Sequence, residues 1–234
     1  MGVKTKNINE IGIVISARLE SERIPRKMIK PFDGSTLLDI LLTKLTHSNI
    51  PNQNIYLSAY ENELKDIANK YPINVFTRSK KSSLSEGERI QDFFEWYNKL
   101  PFKYVVIVSA CNPLLKVETI ENFIQLFIES EKEGAFAVFK KKTYYWDKNK
   151  NNITDWKNLP VMNTKFVDPV YEAAHCLYAS RMDIIGEGMW MSTKGPDDIK
   201  LFVMEELEAF DIDEPWQFKV AEQLYKNKEE LWKK

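Results

Sequence analysis

Short apolar runs alternate with stretches of helical period through the first 140 residues. The run IGIVIS at 11–16 is apolar at successive positions, which predicts a strand covered on both faces. Further strands are predicted at 54–59 (NIYLSA), 73–78 (INVFTR), 104–110 (YVVIVSA) and 134–140 (GAFAVFK). Between them, LLDILLTKL follows the capping residues Ser35 and Thr36, and ENELKDIANKY, EGERIQDFFEWYNKL and ETIENFIQLFIES carry amphipathic helical spacing. Strands and helices in this order imply βαβ units, hence an α/β fold with a doubly wound, mostly parallel sheet. Ligands in such sheets bind outside the carboxyl ends of the strands.

The alternation breaks at 141–172, a polar and aromatic stretch with Asn-rich turn signals and two prolines, Pro160 and Pro169. It is long for a loop within a compact domain, so an inserted arm or hairpin is expected there. Regular structure is expected again in AAHCLYAS (173–180), in one or two strands within 201–213, and in a terminal helix from 214. The whole chain, 1–234, then reads as one domain carrying an arm.

Composition narrows the class. A hydrophobic fraction of 44%, with 13 Phe, 10 Tyr and 6 Trp, supplies a core and excludes disorder. Thirty-three basic and 34 acidic residues leave a net charge of −1, which gives no signal for nucleic acid or an anionic membrane. No apolar run approaches the roughly 20 residues that span a bilayer. MGVKTKNINE lacks a secretory apolar core, and Lys6 stands where a myristoylation signal has Ser or Thr. Cys111 and Cys176 lack metal-ligand spacing and read as reduced thiols of a cytoplasmic protein.

Two segments carry candidate chemistry. Just past the first strand, ARLESERIPRK places Arg18, Arg23, Arg26 and Lys27 together, with Lys30 beyond. A basic loop between a strand end and a capped helix suits phosphate binding. Glycines for a backbone cradle are absent until Gly34, so the charge would come from side chains, on a loop stiffened by Pro25. The alternative is a solvated loop neutralised by Glu20 and Glu22. The second segment is FDIDEP, where strand geometry would project Asp211 and Asp213 to one face. Such a pair suits Mg²⁺, which takes one or two carboxylates plus substrate phosphates. The alternative is that one of them, or Glu214, caps the helix beginning at Pro215. Combined, the two segments suit a metal-assisted reaction at a nucleoside triphosphate.

ARLESERIPRKMIKPFDGSTLLD resembles the N-terminal signature A-R-x-x-S-x-R-[IL]-P-x-K of the CTP-dependent cytidylyltransferases that activate acidic sugars. These are the CMP-sialic, CMP-legionaminic and CMP-pseudaminic acid and CMP-KDO synthetases. VSACNPLL stands at the family's Q-P-T-S-P-L position and FDIDEPWQFKVAE at its D-I-D-T-P-E-D-F-x-x-A-E position. The resemblance implies a Rossmann-like nucleotidyltransferase fold and CMP transfer from CTP to a sugar or sugar-like acceptor, with pyrophosphate released, in bacterial surface glycan biosynthesis. It also implies that Arg18, Ser21, Arg23 and Lys27 grip the triphosphate, that Arg78, Gly87 and Ser109 adjoin the nucleoside, and that Asp211 and Asp213 hold Mg²⁺. Arg18, Lys27, Asp211 and Asp213 would carry the chemistry. The 141–172 arm resembles the family's dimerisation extension, implying a homodimer.

Departures from the pattern point to an altered acceptor. Glu172 stands near the place where sialic acid synthetases carry an Arg for the sugar carboxylate. Met28 replaces a common Asn, Glu22 a common Lys, and Cys111 an aspartate of the KDO subgroup. Glu172 and His175 are the acceptor-site candidates, His175 also reading as a general base or as a hydrogen-bonded strand histidine; His47 reads as surface. Two other classes compete: a GT-A-type glycosyltransferase, whose DxD usually lies mid-domain, and a catalytically inactive dimeric nucleotide-binding protein.

Overall fold

The computed structural model describes residues 6–84, 89–154, 161–186 and 199–233. Its strands are β1 (Ile11–Ser16), β2 (Ile55–Ala59), β3 (Asn74–Thr77), β4 (Tyr104–Val108), β5 (Gly134–Lys141), β6 (Val170–Arg181) and β7 (Ile199–Met204). The helices are α1 (Leu37–Thr46), α2 (Asn62–Ala68), α3 (Lys80–Ser83), α4 (Ile90–Phe93), α5 (Val117–Glu129), α6 (Met182–Gly186), α7 (Pro215–Lys226) and α8 (Lys228–Leu231). The strands make one sheet in the order β3-β2-β1-β4-β6-β5-β7. All pairings are parallel except those of β6, which runs antiparallel to both β4 and β5. The mostly parallel α/β sheet expected from the alternation is the one observed.

Both faces of this sheet are covered, which explains why β1 is apolar throughout. Ile13 and Ile15 face a core shared with Leu38 and Leu42 of α1 and Phe123 and Phe127 of α5. Val14, one position out of phase, faces a second core with Trp96, Val105, Ile107, Met182 and Ile185. The sheet order sets β1 in the interior of the sheet, between β2 and the central β4. The loops leaving β1, β2 and β4 therefore meet at one edge.

β6 outruns its neighbour. Its pairing with β4 ends at Leu177 opposite Val108, and its earlier residues pair on with β5 as far as Val170 opposite Lys141. The β5–β6 register shifts between Phe136 and Val138, and His175 in the bulged stretch has a left-handed φ of 51°. β5 ends at Lys141 and β6 begins at Val170, so of the expected arm the described residues 142–154 and 161–169 lie outside the sheet. There Trp146 bridges Asn152, and Asp147 Oδ1 accepts from the Asn149 and Asn151 N–H groups at 2.8 Å, closing a small hairpin.

Three expected elements differ. The helix expected over 86–100 is helical only at Ile90–Phe93 among the described residues, because Phe94 and Trp96 turn into the second core and Asn98 takes a φ of 55°. Asp211 and Asp213 are not on a strand; β7 ends at Met204, a 3-10 turn spans Glu206–Ala209, and 210–213 are unpaired by any ladder. The terminal helix breaks at Asn227, which separates α7 from α8. The expected Thr36 cap is present, its hydroxyl accepting the Asp39 N–H at 3.1 Å.

Candidate active site

The chain leaves β1 at Ser16 and turns into a loop fixed by its own backbone. The N–H of Ala17 donates to the Ser58 carbonyl at 3.1 Å, and those of Ser21 and Arg26 both donate to the Leu19 carbonyl at 3.0 Å. Arg26 takes a left-handed φ of 57°, and the 3-10 turn Lys27–Ile29 follows. Ile24 and Met28 are buried and anchor the loop to the core beside α1. With its apolar residues committed inward, the loop presents Arg18, Ser21, Glu22, Arg23 and Lys27 to a cavity of about 270 Å³. Ser16, Met28, Cys111 and Asp213 complete the lining.

Lys27 links this loop to the C-terminal carboxylates. It is only 8% exposed, its Nζ donates to the Ile212 carbonyl, and the same nitrogen lies 3.7 Å from Asp213 Oδ1. Arg23 is more open and reaches Asp213 at 2.8 Å and Glu214 at 3.2 Å. The Ile212 N–H donates to the Cys111 carbonyl at 3.1 Å, tying the aspartate segment to the loop after β4. Gln217 Oε1 accepts from the N–H groups of Asp213 and Glu214, at 2.8 and 2.6 Å, where α7 begins.

Burial pushes the Asp211 carboxyl above the usual range, and the Asp213 charge pushes it further, against the opposing pull of Lys27 and His175. The two carboxylates thus feel each other without a strand to align them. Asp211 Oδ1 is buried and has no hydrogen-bond partner. An orphaned carboxylate oxygen beside a second carboxylate fits a hard cation. Among the described residues no group of three or more His, Cys, Asp and Glu side chains is placed to hold a metal. The pair would need substrate oxygens to complete a Mg²⁺ shell.

The remaining sequence candidates lie around this centre. Arg78 is buried, and its Nη2 donates to the Ala17 carbonyl at 2.7 Å, so part of the guanidinium is committed to the loop's backbone. Ser109 stands at the end of β4, where its hydroxyl accepts the Cys111 N–H at 3.1 Å. Gly87 lies outside the described residues. His175 is exposed, with Nδ1 3.1 Å from the Tyr178 hydroxyl, and its charge bears on Asp211. Glu172 is exposed further out on β6, paired with Phe139, and favours the charged form of Lys141. His47 is on the surface at the end of α1. Sequence reasoning did not name Ser16 as cavity lining or Glu214 as a partner of Arg23. Ser16 ends β1 at the carboxyl edge, which is the signal that marks it.

Over residues 12–233 the sequence matches the cytidylyltransferase family. The chain belongs to that family. It is 31% identical, over 147 residues, to the 3-deoxy-manno-octulosonate cytidylyltransferase of Francisella tularensis subsp. holarctica, covering 61% of this chain and 56% of the relative. It is 23% identical, over 229 residues, to N-acylneuraminate cytidylyltransferase A of Danio rerio, covering 94% of this chain and 52% of the relative. The chain thus spans about half the length of these curated relatives. The fold is similar to that of a CMP:2-keto-3-deoxy-manno-octonic acid synthetase solved with CTP, with a TM-score of 0.65 at 11% identity over 94% of this chain and 99% of that one. No helix among the described residues is long and apolar enough to cross a membrane.

Proposed function

We propose that the protein transfers CMP from CTP to a sugar or sugar-like acceptor, releasing pyrophosphate. The observation that carries this reading is Lys27, whose buried ammonium joins the basic loop to the Ile212 carbonyl and Asp213. Membership of the cytidylyltransferase family supports it. Arg18, Ser21, Arg23 and Lys27 bind the triphosphate, with Arg78, Gly87 and Ser109 on the nucleoside side. Arg23 and Lys27 are shared between Asp213 in the free protein and the phosphates in the complex. Asp211 and Asp213 hold Mg²⁺, which when bound neutralises and orients the α-phosphate.

The acceptor oxygen attacks the α-phosphorus in line, forming one P–O bond as the bond to the β-phosphate oxygen breaks. Pyrophosphate leaves with that electron pair, and Arg18, Arg23 and Lys27 offset its charge. His175, open to solvent on β6, takes up the acceptor's proton. Glu172 faces the acceptor, and acceptors of the 3-deoxy-manno-octulosonate and N-acylneuraminate kinds are the first to test. The enzyme acts as a homodimer in the cytoplasm, with the part of the 141–172 arm that lies between β5 and β6 as the extension between subunits.

A pyrophosphate-release assay with Mg²⁺, each of the four nucleoside triphosphates and a panel of acidic sugars, phosphosugars and phosphonates tests this. Release is expected with CTP and one acceptor class, and its loss in D211A/D213A. No release from any combination overturns the reading.

A further inference from the structure

The backbone on both sides of Arg18 is held from outside the loop. The Ala17 carbonyl accepts from Arg78 Nη2 at 2.7 Å, and the Leu19 N–H donates to Glu61 Oε1 at 2.9 Å. Glu61 precedes α2 and Arg78 follows β3, so residues distant in sequence converge on consecutive peptide groups. The sheet order sets β2 between β1 and β3, and this brings the three strand ends together.

The two braces also act on each other. Burial favours loss of the Arg78 charge, Glu61 opposes that loss, and the Arg18 charge promotes it. Arg78 Nε and Glu61 Oε2 are both buried without hydrogen-bond partners, one a donor and the other an acceptor. Two guanidiniums, Arg18 and Arg78, therefore sit close enough to repel, and Glu61, with Glu95 behind it, offsets the Arg78 charge. Removing the Glu61 side chain would leave the Leu19 N–H of the loop without its acceptor.

We propose that Glu61 is a positioning residue for the triphosphate loop. With Arg78 it fixes the peptide groups flanking Arg18, so that the Arg18 side chain is aimed into the cavity before nucleotide arrives. Glu61 does not line that cavity. The inference rests on the CTP-binding reading of the loop.

The test is CTP·Mg²⁺ affinity, by titration calorimetry, for the wild type, E61A and E61Q, with melting temperature alongside. The amide oxygen of Gln can still accept the Leu19 N–H. E61A is expected to bind CTP at least about tenfold more weakly, as for loss of a hydrogen bond to a charged group. E61Q is expected to recover most of that affinity. A purely structural role would lower the melting temperature of E61A and leave the affinity of its folded fraction unchanged, which overturns the proposal. Equal affinity for wild type and E61A overturns it as well. Should E61A fail to fold, hydrogen exchange of the Leu19 amide in the wild type decides: slow exchange without nucleotide is expected, and exchange at the unprotected rate counts against the proposal. A wild type that binds no CTP refutes the functional reading instead, so the two failures are distinguishable.

Discussion

Lys27 and Lys44 are both drawn out of water, but their partners differ. Lys27 has a carboxylate within reach, whereas the hydrogen bonds of the Lys44 ammonium are to the carbonyls of Pro113 and Leu115, the latter at 2.6 Å. Burial lowers the Lys44 pKa from 10.5 to about 8, with Lys228 adding to the shift and Glu208 opposing it. Between those values the unfolded chain still binds a proton that the folded chain has released. Stability therefore rises with pH across that window and levels off above the unfolded value. Urea unfolding at about pH 7.5 and about pH 10 should show the wild type gaining about 1–3 kcal/mol relative to K44M. An unchanged difference between the two proteins would contradict the burial argument.

Among the elements, α1 shows how a local signal serves the site indirectly. Thr36 accepts the Asp39 N–H and donates to Asp39 Oδ2 at 2.8 Å, and the helix it starts packs beneath the basic loop. T36A should cost about 1 kcal/mol of stability in denaturant unfolding and leave CTP affinity within error of the wild type. A lost affinity would mean that α1 sets the loop's shape as well as supporting it. The strands were legible in sequence because their apolar runs are buried on two faces, and the basic loop because its cations follow such a run. The extended 210–213 segment was less so. Its alternation of Phe210, Asp211, Ile212 and Asp213 mimics a strand, but its partners are Lys27, Arg23 and the Cys111 carbonyl. The 86–100 stretch misled for a related reason, since aromatic residues at helical spacing can fill a core from consecutive turns. Glu61 could not be found at all from its neighbours in sequence, because only the sheet order brings it to Leu19.

At the scale of the molecule, the 142–169 segment carries exposed apolar groups, including Trp146 at 53%, Met162 at 76% and Phe166 at 50%. Lys141 and Val170 already pair, so a two-residue Asn-Gly turn can join the strands there, although the buried Thr154 and Val167 side chains go with the segment. That deletion is expected to sediment as a folded monomer, to bind CTP like the wild type and to lose acceptor turnover. A deletion protein that remains dimeric would remove the arm from the interface. The antiparallel β6 has a wider consequence. The loops after β1, β2 and β3 leave the site edge, whereas β6 enters it from the opposite direction, bringing Glu172 and His175 on a strand separated from those loops by β4. Among the described strands β6 pairs only with β4 and β5, and none of the loops after β1, β2 and β3 shares a ladder with it. On the proposed roles, selection can then change which molecule is activated by altering β6, while the loops proposed for the nucleotide keep their residues.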